Sequence, residues 1–319
     1  MTTTTPDKTR RTPRFKRVFR KQIIINDRDI KMLKKVYRHR FLSSEHITAL
    51  IEGSQQNIVR RLGLLFHAGY LDRPKEQTGH WVYSKRIIYG LGNKGADVLA
   101  GILDLPRSKI DWTTKNREAG TVFLDHTVMI ANFMVCLELA CRQSGIKIIW
   151  PDDILDEMPN RDIKSGSPFG WKVTIQRPVK GKTGDTKIGV VPDGVFGLEF
   201  KNGEVAYYFL EADRSTMPIV RSSFDKSSYL KKLLAYWSAK ETGQIEAIFG
   251  FKAPRVLTLA LSRDRINSMI TANKGIDPRK AGFRMFYFAQ DRDFSIKKPT
   301  GIFAKQWING REEICSILD

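Results

Sequence analysis

Between residues 23 and 105 the hydrophobic positions recur with helical spacing, and beyond residue 120 they fall into alternating strand-like and helix-like runs. Asn26 precedes a run in which Ile30, Leu33, Val36 and Tyr37 share one face, which predicts a capped first helix. Ser43 opens a second, short helix through Ile47, Leu50 and Ile51, and Gly53-Ser54 turns the chain into a third. There Ile58, Leu62, Leu65 and Phe66 stand at i, i+4, i+7 and i+8, which rotates Gln56 and Arg60 to the opposite side. Gly69 and Pro74 break the pattern, residues 80–83 (HWVY) and 86–91 (RIIYGL) read as short strands, and residues 95–103 as a closing helix.

The second half opens after a polar connector, residues 106–120, anchored by Trp112. A long helix is predicted over 122–143 with His126, Ile130, Phe133 and Leu137 on its inner stripe. Strands follow at 147–150 and from Trp171, with a polar stretch at 151–170 and a Gly/Lys loop at 180–187 that lacks the phosphate-cradling spacing of a P-loop. Strands at 190–195 and 206–211, a helix at 222–240, a strand at 255–261, a short helix and a strand at 283–289 complete the pattern. Strands alternating with helices give an α/β (α+β) fold with a central mixed sheet over residues 121–305, leaving 306–319 as a C-terminal segment. Residues 23–105 have the element order of a winged helix-turn-helix domain. In that arrangement the third helix enters the major groove of double-stranded DNA. Gln55, Gln56, Asn57, Arg60 and Arg61 are then candidates to reach the bases, and Lys85 and Arg86 in the wing to reach phosphate. The same fold also serves protein contacts, and that alternative stays open.

Charge favours nucleic acid as the partner. The 319 residues carry 54 Lys and Arg against 34 Asp and Glu, a formal net charge of +20. The first 22 residues hold eight Lys or Arg and one Asp, and read as a disordered basic arm; Pro6 and Pro13 spoil the amphipathic helix of a transit peptide. The cysteines Cys136, Cys141 and Cys315 are odd in number and lack zinc spacing, which points to a reducing compartment and a cytoplasmic protein. No apolar run is expected to reach the roughly 18–20 residues of a membrane span, so no membrane is expected as a partner.

Candidate chemistry lies in VVPDG and YYFLEADRS. If the two segments pair as neighbouring strands, Asp193 sits beside Glu211 and Asp213, which share a face. Three hard oxygen ligands suit Mg²⁺. The spacing resembles the opening of the metal site in PD-(D/E)xK nucleases, with one departure. Where that pattern has Lys, this chain has Asp213, followed by Arg214. Lys226, on the apolar stripe of the predicted 222–240 helix with Leu230, Leu233, Leu234 and Trp237, offers a replacement cation, and Arg214 a second. The alternative is an ordinary buried strand whose terminal acids are solvated or paired with Arg214.

Together, INDRDIKMLKKVYRHRFLSSEHI, LDHTV, VPDGVF, FLEADRST and the Lys226-x-x-Tyr229 helix resemble the replication-relaxation family of bacterial plasmids and integrative elements. The resemblance implies a winged-helix DNA reader joined to a restriction-endonuclease-like domain. The implied function is a DNA-binding accessory protein for replication or transfer of a mobile element, with relaxase or replication proteins as further partners and a degenerate nuclease-like domain. A Mg²⁺-dependent endonuclease or nickase, and a transcriptional repressor of the element, are the alternatives.

Overall fold

Asn26 accepts a hydrogen bond from the Asp29 amide, and the Asp29 carboxylate accepts one from Asn26, a reciprocal cap that starts α1 (Asp27–His39). Its buried face is Asp29, Met32, Leu33, Val36 and His39, whereas Ile30 and Tyr37 are only partly covered. Ser43, in β1 (Leu42–Ser43), caps α2 (Ser44–Leu50) by accepting the His46 amide. The third helix, α3 (Gln55–Ala68), buries Ile58, Leu62, Leu65 and Phe66 as its spacing predicts. It stops at Gly69, whose φ of 90° lies in the left-handed region where a Cβ is costly.

The computed structural model describes residues 15–18, 23–78, 86–110, 113–159, 168–176, 185–222, 226–251, 253–304 and 306–319. It divides into two units, Met1–Ala131 and Asn132–Asp319. In the first, β2 (Leu71–Asp72) and β3 (Ile88–Leu91) join β1 in an antiparallel sheet of order β1-β3-β2. The buried Gln77 side chain both donates to and accepts from the Ile88 backbone at 2.9 Å, holding the start of β3. The expected strand at 80–83, and Lys85, lie outside the described residues. α4 (Asn93–Leu103) follows. The stretch expected to be a plain connector carries α5 (Thr113–Arg117), which packs on β2 and β3. Arg40 Nε donates to Asn116 at 3.0 Å and Arg117 pairs with Asp72 at 3.1 Å, so long-range polar contacts order what composition marked as a linker.

α6 (Thr121–Ser144) is the long helix expected over 122–143, and it is long and apolar enough to cross a membrane, where no apolar run of that length was expected. More than half of that window is buried inside the fold, Phe133, Val135, Leu137 and Ala140 among its residues. The division between the units falls within it.

In the second unit β4 (Lys147–Ile149) precedes α7 (Pro151–Glu157), a helix in the segment read as polar loop, with Pro151 at its first position. β5 (Trp171–Gln176) and β6 (Asp185–Val190) pair antiparallel as a separate ribbon. The predicted 190–195 strand is in fact the end of β6 and the start of β7 (Gly194–Glu199). β8 (Val205–Asp213) follows, then α8 (Tyr229–Glu241), α9 (Gln244–Phe249), β9 (Arg255–Ala260), α10 (Arg263–Ile276) and β10 (Phe286–Gln290).

The C-terminal segment is part of this fold: β11 (Trp307–Asn309) and β12 (Ile314–Cys315) extend the sheet. The strand order is β12-β11-β10-β9-β8-β7-β4, with β8, β9 and β10 parallel and the other neighbours antiparallel, a mixed α/β sheet as expected. On one face Phe209, Val195 and Val256 pack against Tyr229, Leu233 and Tyr236 of α8. On the other, Phe133 of α6 meets Phe196 and Trp307.

Candidate functional site

In the first unit Gln55, Gln56, Asn57 and Arg60 are exposed on the opening turns of α3, since its apolar positions are committed to the core. Val59 is exposed too, at 41%, between Gln56 and Arg60 on the helix surface; the sequence reading passed over it. Arg61 is placed differently from the other four. Its guanidinium donates from Nε to Asp29 Oδ1 at 2.9 Å, from Nη2 to Asp29 Oδ2 at 2.5 Å and to the Ile24 carbonyl at 2.6 Å. The Asp29 hydrogen bond raises the Arg61 pKa. Arg61 therefore fastens α3 to α1. Arg86 pairs with Glu45 of α2 at 2.5 Å and remains largely exposed.

In the second unit the register pairs Gly194 with Leu210, which puts Asp193 at the strand end opposite Glu211. The Asp193 amide donates to the Leu210 carbonyl at 3.0 Å, and its carboxylate accepts the Ala212 amide at 2.8 Å. Glu211 and Asp213 lie two apart on β8 and face the helices that cover the sheet, with 2% and 9% exposure. Each meets its own cation. Lys232, on α8, pairs with Glu211 Oε2, and Tyr236, one turn further on, donates to Oε1 at 2.6 Å. Arg265, on α10, clasps Asp213 with two bonds of 2.8 Å and also reaches the Met217 carbonyl. Ser215, at a left-handed φ of 61°, turns its amide back onto Asp213 Oδ1 at 2.8 Å.

Electrostatics follow from the burial. Loss of water pushes the Glu211 carboxyl up and Asp193 adds to this, while Lys232 and Tyr236 pull the other way. Burial works against the charge on Lys232, and Glu211 and Asp193 outweigh it, so its pKa rises. The Tyr236 hydroxyl is driven well above its ordinary value by burial and then by Glu211. Tyr229 and Thr258 share a buried hydrogen bond of 2.7 Å beside this network.

Lys226 is exposed and stands ahead of α8, because Ser228 caps the helix and sets its start at Tyr229 rather than at 222. The buried face is thereby rotated to Tyr229, Leu233 and Tyr236, and Lys232 shares it. The pattern Tyr229, Lys232, Leu233, Tyr236 is a helical i, i+3, i+4, i+7 stripe, a signal visible in the sequence. Arg214 follows Asp213 and is half-buried. Both Asp213 oxygens accept Arg265, and both Glu211 oxygens accept a donor. Among the described residues no group of three His, Cys, Asp or Glu is arranged to hold a metal ion.

A family model described as Replication-relaxation matches residues 33–248. The matched stretch runs from within α1 into α9, and takes in α3, Asp193, Glu211 and Lys232. No curated protein and no solved structure matches the chain.

Proposed function

Because the chain belongs to the replication-relaxation family, we propose that it is a DNA-binding accessory protein for replication or transfer of a plasmid or integrative element, reading its site with α3 and leaving the DNA uncut. One observation carries this reading: Gln55, Gln56, Asn57, Val59 and Arg60 are exposed on a helix whose opposite face is locked into a core. The major groove admits an α-helix. There a Gln amide matches adenine, a guanidinium matches guanine, and apolar carbons such as those of Val59 lie against a thymine methyl. The net charge of +20 supplies the sequence-independent attraction to phosphate. The test starts from a site selected out of random duplexes by the full chain. Arg60→Ala is expected to relax preference at one base position by about 1–3 kcal/mol while affinity for random duplex stays level. Equal losses on both duplexes would remove Arg60 from the reader role.

A second reading, a metal-dependent endonuclease or nickase, draws support from Lys232, which brings to Glu211 the cation that the strand itself lacks. Incubation of supercoiled DNA bearing the selected site with Mg²⁺ or Mn²⁺ separates the two. On the accessory reading wild type and Glu211→Gln leave the plasmid equally intact. Metal-dependent nicking lost in Glu211→Gln would put the nuclease in its place.

A further inference from the structure

The arginines of the first unit fall into two groups. Arg17, in the stretch expected to be a disordered arm, donates from Nε to the Phe66 carbonyl at 2.9 Å and from Nη2 to the Leu71 carbonyl at 3.0 Å, and pairs with Asp72, which also holds Arg117. Arg61 is committed to Asp29, Arg73 to the Tyr89 hydroxyl and Arg86 to Glu45. The guanidiniums of Arg28 and Arg60 have no hydrogen-bond or ion-pair partner among the described residues. Arg60 is the exposed group on α3 described above. Arg28, at the second position of α1, extends to the turn between α2 and α3: its Nη1 stands 3.3 Å from the point that a Cβ on Gly53 would occupy. Gly53 has a φ of 128°, a conformation that residues with side chains rarely adopt, so the turn needs glycine, and the missing side chain leaves the space into which the guanidinium reaches. Nearby acids leave its charge standing. Asp29 is taken by Arg61 and the Asn26 amide, and Asp27, adjacent along the helix, projects from a different face.

We propose that Arg28 is a phosphate-contacting residue of the DNA interface: from beside the Gly53-Ser54 turn it donates to a phosphodiester of the strand bordering the bases that α3 reads, and so fixes how the helix sits in the groove. This rests on the DNA-binding reading above. The planar fork of a guanidinium matches two phosphate oxygens at once, which the point charge of a lysine does not. A contact of this kind carries no sequence information but sets register and orientation on the duplex. The two unspent arginines then divide the work, Arg60 reaching a base edge and Arg28 the backbone.

The experiment uses the full chain and compares wild type with Arg28→Gln and with Lys109→Gln, which removes the same single charge from an exposed position between α4 and α5. Affinity and its salt dependence are measured on the selected duplex and on random duplex. A set of selected duplexes, each with one phosphate replaced by an uncharged methylphosphonate, then locates the contact. Arg28→Gln is expected to lose on the order of 10-fold on both duplexes alike and to reduce the slope of log K against log salt by about 1. At one position the methylphosphonate that weakens wild type no longer weakens Arg28→Gln, because the group that met that phosphate is gone. The urea midpoint stays at the wild-type value, since the guanidinium has no protein partner to lose. Arg28→Lys keeps the charge without the fork; it retains the salt slope, shows a smaller penalty at that same phosphate, and is the variant to read if Arg28→Gln fails to fold. A methylphosphonate profile in the variant read that superimposes on wild type, or losses in Lys109→Gln equal to those in Arg28→Gln, overturns the phosphate contact. Absence of any site-selective binding by wild type overturns the DNA reading itself.

Discussion

Replacing Lys232 with Met is expected to destabilise the second unit by about 3–5 kcal/mol, the cost of stranding one member of a buried ion pair. Met keeps the length and apolar stem of the side chain, so what is removed is the charge. The asymmetry of the pair makes the effect large. Lys232 is 31% exposed and can turn towards water, but the Glu211 side chain is only 3% exposed and is left with the Tyr236 hydroxyl alone. Glu211→Gln should therefore cost less than Lys232→Met.

The pH dependence supplies the check. Burial, then Asp193, already raises the Glu211 carboxyl, and removing Lys232 raises it further. Between the ordinary value and the raised one the folded state binds more protons than the unfolded state, so stability falls as pH rises through that window and returns as pH drops. In urea titrations the deficit of Lys232→Met should shrink as pH is lowered from neutral towards the ordinary carboxylate value. In wild type the Lys232 contribution, having a raised folded pKa, is fully present at neutral pH and is lost only as pH climbs through that value. A deficit that ignores pH would mean that Glu211 is not the stranded charge.

Asp29→Ala is expected to have an effect of similar size in the first unit. Asp29 is fully buried and does two jobs at once: it closes the cap of α1 through the Asn26 amide and clasps Arg61 of α3. The Arg61 left behind is partly exposed and keeps the Ile24 carbonyl, so losing the clasp costs about 1.5–3 kcal/mol, and losing the cap about 1 kcal/mol more. Urea unfolding followed by circular dichroism should show the helical first unit melting in a separate, earlier transition. Arg61→Lys, which retains charge without the planar fork, should fall between wild type and Asp29→Ala. A loss under about 1 kcal/mol for Asp29→Ala would mean that the clasp contributes no more than an exposed pair, and would return Arg61 to the candidates for DNA contact.

Local patterns carried much of this structure. The spacing of Ile58, Leu62, Leu65 and Phe66 placed α3 and its outward Gln56 and Arg60, and the strand periodicity around Asp193 and Glu211 placed those two acids at neighbouring strand ends. What stayed hidden came from elsewhere in the chain. Arg265 reaches Asp213 from a helix beyond the next strand, and nothing in FLEADRS announces it. Lys232 was legible only if the helix was begun after Ser228 rather than at 222; the earlier start put Lys226 on the apolar stripe in its stead. Trp307 and Ile308, in a segment whose flanks are basic and Gly/Pro-rich, have their strand partners in β10 and β12, so their membership of the sheet is tertiary information.

The connectivity around β8 bears on what happens while the chain is being synthesised. β8 meets β7 across a tight turn closed between Phe200 and Glu204, but it meets β9 only after α8 and α9 have been made and laid back on the sheet. Short loops close before long ones. For an interval the nascent hairpin therefore presents the apolar run Tyr207, Tyr208, Phe209, Leu210 along an open edge, the kind of edge that recruits other chains. Glu211 and Asp213 end that run with two negative charges whose partners, Lys232 and Arg265, have yet to arrive. Two like charges at the end of an apolar run oppose edge-to-edge pairing, so carboxylates that are neutralised in the finished fold would act as gatekeepers in the unfinished one.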